Sequence, residues 1–410
     1  MTEAPERAFT RAMEAEFPVA PQRLALAVSG GGDSMALMAL AQDWAKQSGT
    51  QLEVLTVDHR LRTGAALEIA LVERFCQAAQ IPHRTLVWTG WDHRGNLQDQ
   101  ARRARYTLLS GAAQGCDAIL LGHTKDDLAE TFLMRLARGA GSDGLRAMRA
   151  SFERDGTRFL RPLLSVSRES LRQLLRTRGI DWIDDPSNDD PRFERVRARK
   201  ALAAMTELGF GADGIAISAH HLAAENAALR REAFTVLTNT VEQVCGAFRI
   251  ALTALADLEP ELRRRAVLAM VRSLGAEEYP PRGDALAEFI AALVRGETRT
   301  LAGCLSYRHR DWCWLQREPA YLGPSVSAGD IWDNRWRFAQ VEGARTRELG
   351  EDGLAQCGDW RSVGLPRRVL LVSPALFKGE TLHAAPFAGL SGDVALEYRG
   401  KPVQSFLMPH

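Results

Sequence analysis

The chain has 410 residues, of which 46% are hydrophobic and 25% charged, and its formal net charge is +1. This length predicts two or three domains, and the balanced charge excludes a nucleic-acid partner held by a global basic field. Six cysteines without a C-x-x-C pair fit neither a zinc site nor a small disulfide framework, so we expect free thiols. The N-terminus has no apolar signal segment, and no stretch approaches the roughly 18 apolar residues of a membrane span. We therefore expect a cytoplasmic protein without a membrane partner.

The first half of the chain alternates between short apolar runs and longer amphipathic segments. The apolar runs predict strands at residues 24–29, 52–58, 83–88 and 117–123. The segments between them predict helices at residues 34–46, 65–80, 96–113 and 127–138. This alternation indicates an α/β domain with a parallel sheet and helices on both faces. Ligands bind such sheets beyond the carboxyl ends of the strands, where the chemically interesting residues fall.

The pattern changes after residue 140. The Gly-rich residues 138–144 predict a loop, residues 168–178 a helix, and the Ala/Leu/Arg-rich stretches within 197–240 and 258–295 further helices. Short alternating runs beyond about residue 298 predict strands. We therefore expect a catalytic domain at residues 1–205, a helical domain at 206–297 and a small β-containing α+β domain at 298–410.

The loop Ser29-Gly30-Gly31-Gly32-Asp33-Ser34 joins the first predicted strand to the first helix. Its glycines let backbone N–H groups approach an anion, and the helix N-terminus adds positive potential. An ordinary strand–helix turn is the alternative. The loop has no Lys as in a Walker A motif, and its third Rossmann position is Met35. A carboxylate beside phosphates repels them unless it holds a cation, so Asp33 predicts a Mg²⁺ site with Ser29 and Ser34 as phosphate donors.

The helix at residues 96–113 begins with Asn96 as N-cap and carries two candidate catalytic arginines, Arg102 and Arg105. One face is expected to pack on the sheet, and it comprises Leu97, Ala101, Ala104 and Leu108. Arg102, Arg105 and Tyr106 are expected on the other side. The two guanidinium groups there can neutralise charge on a phosphate as a leaving group departs, although most Arg-rich helix faces are simply solvated.

Acidic and histidine side chains follow other predicted strands. Asp127 and Glu130 share a helix face, which suits a cationic substrate, although acidic residues in a first turn commonly serve the helix dipole. Asp58 and His59 end the second strand, where an acid either binds the ribose or adenine edge of a nucleotide or caps the strand. His123 ends the fourth strand and adjoins the same site.

These motifs resemble the N-type ATP pyrophosphatases, or PP-loop enzymes, and within them most closely the tRNA(Ile)-lysidine synthase family. Besides the loop, the matching motifs are Val57-Asp58-His59-Arg60-Leu61-Arg62, Asn96 with Ala101-Arg102-Arg103-Ala104-Arg105-Tyr106, Leu121-Gly122-His123, Asp126-Asp127 with Glu130-Thr131, Arg135, Arg138-Gly139, Arg161-Pro162-Leu163-Leu164, and Trp182 with Asp185-Pro186-Ser187-Asn188. Six motifs in sequence over roughly residues 20–200 make the resemblance specific. The chain departs from the family pattern at Val196, where the family has Asn.

The resemblance implies a Rossmann-like, adenine nucleotide alpha hydrolase-like domain that uses ATP and Mg²⁺. It implies ligation of L-lysine to carbon 2 of the wobble cytidine of tRNA(Ile) with a CAU anticodon, through an adenylated tRNA. The loop from Ser29 to Ser34, with Asp58, His59 and His123, is assigned to ATP. Asp127 and Glu130 are assigned to lysine. Basic residues after the catalytic motifs are candidates for tRNA phosphate contacts, with solvated surface charge as the alternative; they are Arg168, Arg172, Arg176, Arg178, Arg192, Arg195, Arg197, Arg199 and Lys200, of which Arg195, Arg197 and Arg199 are assigned to tRNA.

Two alternatives remain at this point. A tRNA-thiolating PP-loop enzyme would need cysteines near the site, whereas Cys76 lies within a predicted helix and Cys116 just before a strand. A non-catalytic nucleotide-sensing or tRNA-binding module would not need Asp33, Arg102, Asp127 and Glu130 together. The sequence leaves the oligomeric state open, with a homodimer as one expectation.

Overall fold

The computed structural model describes residues 3–60, 64–91, 97–146, 148–184, 190, 192–275 and 281–407. The chain divides into two compact units, residues 1–226 and residues 227–409. Asn96 and residues 185–189, which the sequence analysis singled out, lie outside the described residues. No helix in the described part of the chain is long and apolar enough to cross a membrane.

The first unit contains a six-stranded sheet flanked by helices. Its strands are β1 Arg23–Ala27, β2 Gln51–Asp58, β3 His83–Val87, β4 Ala118–Leu121, β5 Ser151–Arg154 and β6 Thr157–Leu160. Its helices are α1 Pro5–Glu16, α2 Gly32–Ser48, α3 Ala65–Ala79, α4 Leu97–Ala112, α5 Lys125–Leu136, α6 Ser142–Leu145, α7 Arg168–Arg178 and α8 Glu194–Glu207. A long helix, α9 Ala212–Thr240, contains the boundary between the units.

The sheet has the strand order β3-β2-β1-β4-β6-β5. All neighbours pair in parallel except β5, which pairs antiparallel with β6. Every residue of β4 is buried, as expected for a parallel strand covered on both faces. One face packs against α1, α2 and α7, and the other against α4. The predicted α/β domain with a parallel sheet is therefore confirmed.

Three local features differ from the expectation. The predicted loop at residues 138–144 overlaps the short helix α6, which begins at Ser142. The β5–β6 hairpin was not predicted, although Asp155 and Gly156 at its turn both have positive φ (51° and 71°), as an Asp-Gly turn favours. Strand β1 ends at Ala27, so the glycine loop starts two residues earlier than expected.

The predicted buried face of α4 is wrong, because the observed buried face is displaced by about one residue position around the helix. Tyr106 does not face away from the sheet; it is 4% exposed and packs edge-on against Phe152 and Phe159, with ring centroids 5.9 and 5.1 Å away. Leu109 lies on the same buried face, whereas Leu108 is only half-buried. The large aromatic ring and Leu109 remove more apolar area from water than the small alanines of the predicted face, which explains the rotation.

The second unit is rich in strands. Its helices are α10 Leu252–Asp257, α11 Pro260–Leu274, α12 Gly283–Arg295, α13 Gly350–Gln356 and α14 Arg367–Leu371. Its strands are β7 Val241–Val244, β8 Ala247–Ala251, β9 Arg299–Leu301, β10 Cys304–His309, β11 Trp312–Arg317, β12 Val326–Ser327, β13 Trp336–Phe338, β14 Ala344–Glu348, β15 Pro374–Lys378, β16 Thr381–Ala384 and β17 Leu396–Tyr398.

These strands form three sheets, ordered β7-β8-β11-β10-β9, β12-β14-β15-β16 and β13-β17. Helices α11 and α12 share an apolar core with the five-stranded sheet. The expected β-containing C-terminal region is therefore present. The five-stranded sheet takes strands from both sides of residues 297 and 298, and the three-domain division stays a prediction.

Candidate active site

The glycine loop lies between β1 and α2, and hydrogen bonds within the loop fix its conformation. Gly30 has a φ of +85°, and a Cβ there would lie 3.0 Å from the Cβ of Glu68, so this position requires glycine. The Ser34 hydroxyl donates to the carbonyl of Gly31 at 2.8 Å and accepts the Ser29 N–H at 3.2 Å. The loop is therefore preformed as an anion cradle at the N-terminus of α2.

The end of β4 closes the loop from the other side. A Cβ on Gly122 would lie 3.1 Å from the backbone oxygen of Asp33 and 3.1 Å from the Cα of Ser34. Trp182 packs over the loop at Gly32. A Cβ on Gly32 would lie 3.3 Å from the indole Cδ1 of Trp182. Glycines at 32 and 122 thus permit the close approach of three chain segments.

Two adjoining cavities open beside this loop. The larger, of about 510 Å³, is lined by the loop and by charged side chains, and the smaller, of about 250 Å³, by the end of β2. Both are lined by Ala27, Ser29 and Arg105. The charged residues of the larger cavity are Asp33, Arg105, Asp127, Arg168, Arg172, Asp184 and Arg199. Together the cavities offer a charged compartment and a less charged one, as phosphates and a nucleoside require.

Arg168, the first residue of α7, lines the larger cavity and joins three carboxylates. Its Nε donates to Asp33 at 3.1 Å, its Nη2 to Asp127 at 2.8 Å and its Nη1 to Glu130 at 3.1 Å. Burial disfavours its charge, but Asp127, Asp33 and Glu130 outweigh that effect, so the pKa of Arg168 lies above its usual value. One guanidinium therefore neutralises both the loop carboxylate and the pair assigned to lysine.

Two of the arginines assigned to tRNA donate hydrogen bonds to the carboxylates assigned to lysine. Arg195 donates to Glu130 at 2.8 Å and to Asp127 at 2.9 Å, and Arg199 donates to Glu130 at 2.9 Å. Arg197 is elsewhere and donates to the carbonyl of Arg192 at 3.0 Å. The structure thus brings Arg195 and Arg199 to the assigned lysine subsite, and the tRNA contacts of all three stay predictions.

The two carboxylates assigned to lysine have different local roles. Asp127 forms a capping box with Thr124, accepting its backbone N–H at 2.8 Å, so the helix-end alternative is true of this residue. Its second oxygen accepts the arginines. Glu130 is fully buried and is not part of the cap, so helix capping does not explain it. Its assignment to a cationic ligand stays a prediction supported by the three guanidinium groups around it.

Asp33 is the carboxylate best suited to hold a cation. Its Oδ2 accepts Arg168, whereas its Oδ1 is buried without a hydrogen-bond partner among the described residues. Burial, reinforced by Asp127 and opposed by Arg168, raises the pKa of Asp33 from 3.8 to about 6. The described residues contain no cluster of three or more metal-ligating side chains. A hard cation here would therefore bind Asp33 together with phosphate oxygens and water, as Mg²⁺ commonly does.

Another wall of the cavity comes from α4 and the end of β4. Arg105 lines both cavities, and burial together with Arg102 lowers its pKa, although Tyr106 opposes this. Arg102 is exposed, with its guanidinium carbon 5.5 Å from the Tyr106 ring centroid. His123 lines the larger cavity and accepts a hydrogen bond from Arg161 at 3.2 Å. Of the predicted pair, Arg105 is thus the one that reaches the cavities.

Asp58 and His59 both line the smaller cavity. Asp58 also accepts the backbone N–H of Arg60 at 2.8 Å, so it caps the strand end as well. The His59 ring packs edge-on against Trp88, with centroids 5.7 Å apart. Both alternatives for Asp58 are therefore compatible with its position.

The sequence analysis placed Arg168 and Arg172 only among basic residues for nucleic acid, and gave Arg161 no role. Arg172 pairs with Asp184 at 2.7 Å, and both line the larger cavity. The only available signal was that Arg168 begins a predicted helix just beyond the Arg161-Pro162-Leu163-Leu164 motif. No cysteine is among the described residues that line the two cavities. Cys76 packs on Met38, and burial with a Glu53 hydrogen bond raises the pKa of Cys116 to about 12.

Comparisons with known proteins identify the family. A family profile described as a PP-loop domain matches residues 1–206. A tRNA(Ile)-lysidine synthase of Ruegeria pomeroyi is 43% identical over 90% of this chain and 90% of its own. One of Rhodopseudomonas palustris is 40% identical over 68% of this chain and 83% of its own. Among solved structures, a U34-tRNA thiolase from Methanococcus maripaludis has a TM-score of 0.47 at 17% identity, covering 53% of this chain and 77% of that one. That structural likeness is too low to carry a functional argument.

Proposed function

The chain belongs to the PP-loop tRNA(Ile)-lysidine synthase family, and on that premise we propose that it ligates L-lysine to carbon 2 of the wobble cytidine of tRNA(Ile). The family uses ATP and acts on tRNA, and the finer proposal adds lysine, the CAU anticodon and Mg²⁺. The observation that carries it is that the glycine loop and Asp127 line one cavity, and that Arg168, which also lines it, joins Asp127 to the buried Glu130. A phosphate cradle and an ammonium site in one cavity suit ATP-driven attack by an amine.

Nucleotide binding follows from the two adjoining cavities. The triphosphate occupies the larger one, where the loop offers backbone N–H groups and the hydroxyls of Ser29 and Ser34. The nucleoside occupies the smaller one, beside Asp58 and His59. Arg105 lines both cavities and therefore lies near the α-phosphate, where negative charge develops as pyrophosphate leaves.

Magnesium fits the loop because Asp33 Oδ1 is a buried carboxylate oxygen without a partner. When bound, Mg²⁺ supplies neutralisation of the pyrophosphate charge. The chain itself contributes Asp33 as the anchoring carboxylate, and Arg168 as the cation that balances Asp33 in the free protein.

The proposed reaction has two steps. The O2 of the cytidine attacks the α-phosphorus of ATP, the bond between the α- and β-phosphates breaks, and pyrophosphate leaves. The ε-amine of lysine, after losing a proton, then attacks carbon 2, and AMP departs with the former O2. Adenylation is needed because the unmodified oxygen is a poor leaving group. Asp127 and Glu130 are proposed to hold lysine, and an accessible anticodon loop presents the base.

The direct test is incubation of the full chain with ATP, Mg²⁺, labelled lysine and an unmodified tRNA(Ile) transcript. We expect lysine incorporation that depends on ATP, with AMP and pyrophosphate as products. An Asp33→Ala variant is expected to be folded and inactive, whereas Asp181→Ala, an equally conservative change at an exposed carboxylate, is expected to behave as the unaltered protein. Absence of lysine incorporation into tRNA would refute the proposal.

A thiolating activity is the alternative function, and the positions of the cysteines argue against it. A double variant, Cys76→Ala with Cys116→Ala, removes the only two cysteines of the first 226 residues. We expect it to retain pyrophosphate release and lysine incorporation, because neither thiol lines a cavity. Loss of activity in a folded double variant would favour sulfur chemistry instead. The roles of residues 206–297 in tRNA binding and of a homodimer remain part of the proposal.

A further inference from the structure

Arg161 is anchored so that its Nε–H points at one ring nitrogen of His123. It follows β6 directly, and its backbone N–H donates to the carbonyl of Ala150 at 2.7 Å. Its Nη1 donates to the carbonyl of Arg149 at 2.7 Å, and its guanidinium carbon lies 4.2 Å from the ring centroid of Phe152. Its Nε donates to His123 Nδ1 at 3.2 Å. One backbone contact and two guanidinium contacts thus fix Arg161 independently of the histidine.

This hydrogen bond decides where the proton of His123 resides. A guanidinium carries only donors and stays charged throughout the physiological pH range. His123 Nδ1 must therefore offer a lone pair, and a neutral imidazole then carries its hydrogen on Nε2. Protonation of Nδ1 would break the hydrogen bond and place two cations in contact. In the described part of the chain, Nε2 has no protein partner, and the ring lines the larger cavity.

The surroundings favour the neutral ring. The charged neighbours of His123 are Arg161, Arg105 and Arg102, from β6 and α4, and Arg195 from α8. The other charged groups that line the same cavity are Asp33, Asp127, Arg168, Arg172, Asp184 and Arg199. Burial and then these nearby arginines lower the pKa of His123 well below its usual value. The carboxylates do not reverse this, because Arg168 pairs with Asp33 and Asp127.

We propose that Arg161 is a positioning residue that holds His123 neutral with its hydrogen on Nε2, so that His123 donates to a phosphate oxygen of ATP. This rests on the proposed function only for the identity of the acceptor. It also removes His123 from consideration as the base that deprotonates lysine, because its one lone pair is occupied by Arg161. The proton of the amine must then leave by another route, and Asp127 is a carboxylate that lines the cavity.

The first test needs no activity and is made on the full chain without ligands. Nitrogen NMR of ¹⁵N-histidine-labelled protein distinguishes protonated from unprotonated ring nitrogens. The His123 signals are those absent from a His123→Gln variant. We expect an unprotonated Nδ1 and a protonated Nε2 from about pH 8 down to about pH 5.5, where ordinary histidines become doubly protonated. A protonated Nδ1, or titration between these values, overturns the proposal whatever reaction the protein catalyses.

The second test uses Arg161→Met, with Arg158→Met as a matched control. Arg158 also stacks on an aromatic ring, at 5.0 Å from the Phe17 centroid, and pairs with Glu16, but it contacts Glu16 and Phe17 rather than His123. We expect Arg161→Met to bring the pKa of His123 toward ~6.5 and to add an ionisation near that pH to the kcat profile of pyrophosphate release. Its kcat is expected to fall about 10²-fold with little change in the KM of lysine, as when one phosphate-directed donor is lost.

Arg161→Lys provides the rescue, since an ammonium group also donates without accepting. We expect it to keep His123 neutral and to restore part of kcat. Identical pH profiles for Arg161→Met and Arg158→Met would overturn the proposal. If Arg161→Met does not fold, the ring-nitrogen signals of the unaltered protein and of Arg161→Lys decide the question alone.

Discussion

Replacing Asp33 by Asn should stabilise the free protein near neutral pH while abolishing its activity. Burial raises the pKa of Asp33 from 3.8 to about 6 despite the nearby Arg168. Each pKa unit corresponds to ~1.4 kcal/mol, so the ionised carboxylate costs the folded state about 3 kcal/mol at neutral pH. Asparagine has the shape of the protonated acid and avoids this cost. The activity is expected to disappear because a neutral amide is a poor ligand for Mg²⁺.

The pKa shift of Asp33 determines how the stability difference between the two proteins should change with pH. The folded-state pKa of Asp33 is raised, so the folded protein holds the proton more tightly than the unfolded chain does. At about pH 3 and below, the carboxyl is largely protonated in both states, and the two proteins should be equally stable. As the pH rises toward 6, the unaltered protein loses stability relative to the variant. The difference should reach its full value of about 3 kcal/mol by about pH 7.5.

The assay must report on the unit that contains Asp33, because a chain with two units need not unfold in one step. Urea unfolding followed by pulsed hydrogen exchange at one fixed pulse pH, read on peptides from α2, meets this need. Asp181→Asn is the control; its side chain is 80% exposed, so it should change stability by less than ~0.5 kcal/mol at every pH. A difference between Asp33→Asn and the unaltered protein that is independent of pH, or a destabilised variant at neutral pH, would refute the reasoning.

Three further predictions concern the same cavity. Gly122→Ala should lower stability by ~1–3 kcal/mol in urea unfolding and slow pyrophosphate release, because the added Cβ meets the backbone of Asp33. Gly111→Ala is the control; its Cβ would meet open space, and the variant should gain up to ~1 kcal/mol of stability. Equal effects of the two substitutions would contradict the close approach at Gly122. Glu130→Gln should raise the KM of lysine about tenfold or more but not that of ATP, since a charge-assisted hydrogen bond contributes ~1.5–3 kcal/mol; unchanged lysine kinetics would remove Glu130 from the subsite. Calorimetry should show a non-hydrolysable ATP analogue with Mg²⁺ increasing lysine affinity about fivefold or more, and Arg168→Met abolishing that increase; an equal increase in the variant would show that Arg168 does not couple the sites.

The sheet and the loop could be predicted because their causes are local. Four consecutive apolar residues form the buried strand β4, and α7 occupies the predicted residues 168–178 because Ser167 caps it and Gly179 ends it. The glycine loop was predictable from its strand–helix context and its missing Lys. These features depend on periodicity, capping and backbone freedom, all of which can be read within one segment.

The pairing inside the cavity could not be predicted, because it joins residues far apart in the chain. Arg168 reaches Asp33 across 135 positions and Glu130 across 38. Sequence spacing does not reveal which carboxylate a long guanidinium side chain contacts, and solvated basic faces are the common outcome. The misplacement of Tyr106 has a similar cause, since the helix rotates to bury the ring against Phe152 and Phe159, which belong to an unpredicted hairpin.

The charges of the cavity also explain why one arginine links the two proposed substrate subsites. Asp33 repels phosphates unless a cation accompanies it, and in the free protein that cation is Arg168. The same guanidinium also neutralises Asp127 and Glu130, the carboxylates assigned to lysine. A nucleotide that attracts Arg168 toward its phosphates therefore weakens the hold of Arg168 on those carboxylates, which keep Arg195 and Arg199 as partners, and leaves the position of Arg168 to another cation. Because linkage is reciprocal, lysine bound there must favour the nucleotide by the same free energy. Both substrates thus replace charge pairs that the free protein already has, so neither carboxylate group is left buried and unpaired.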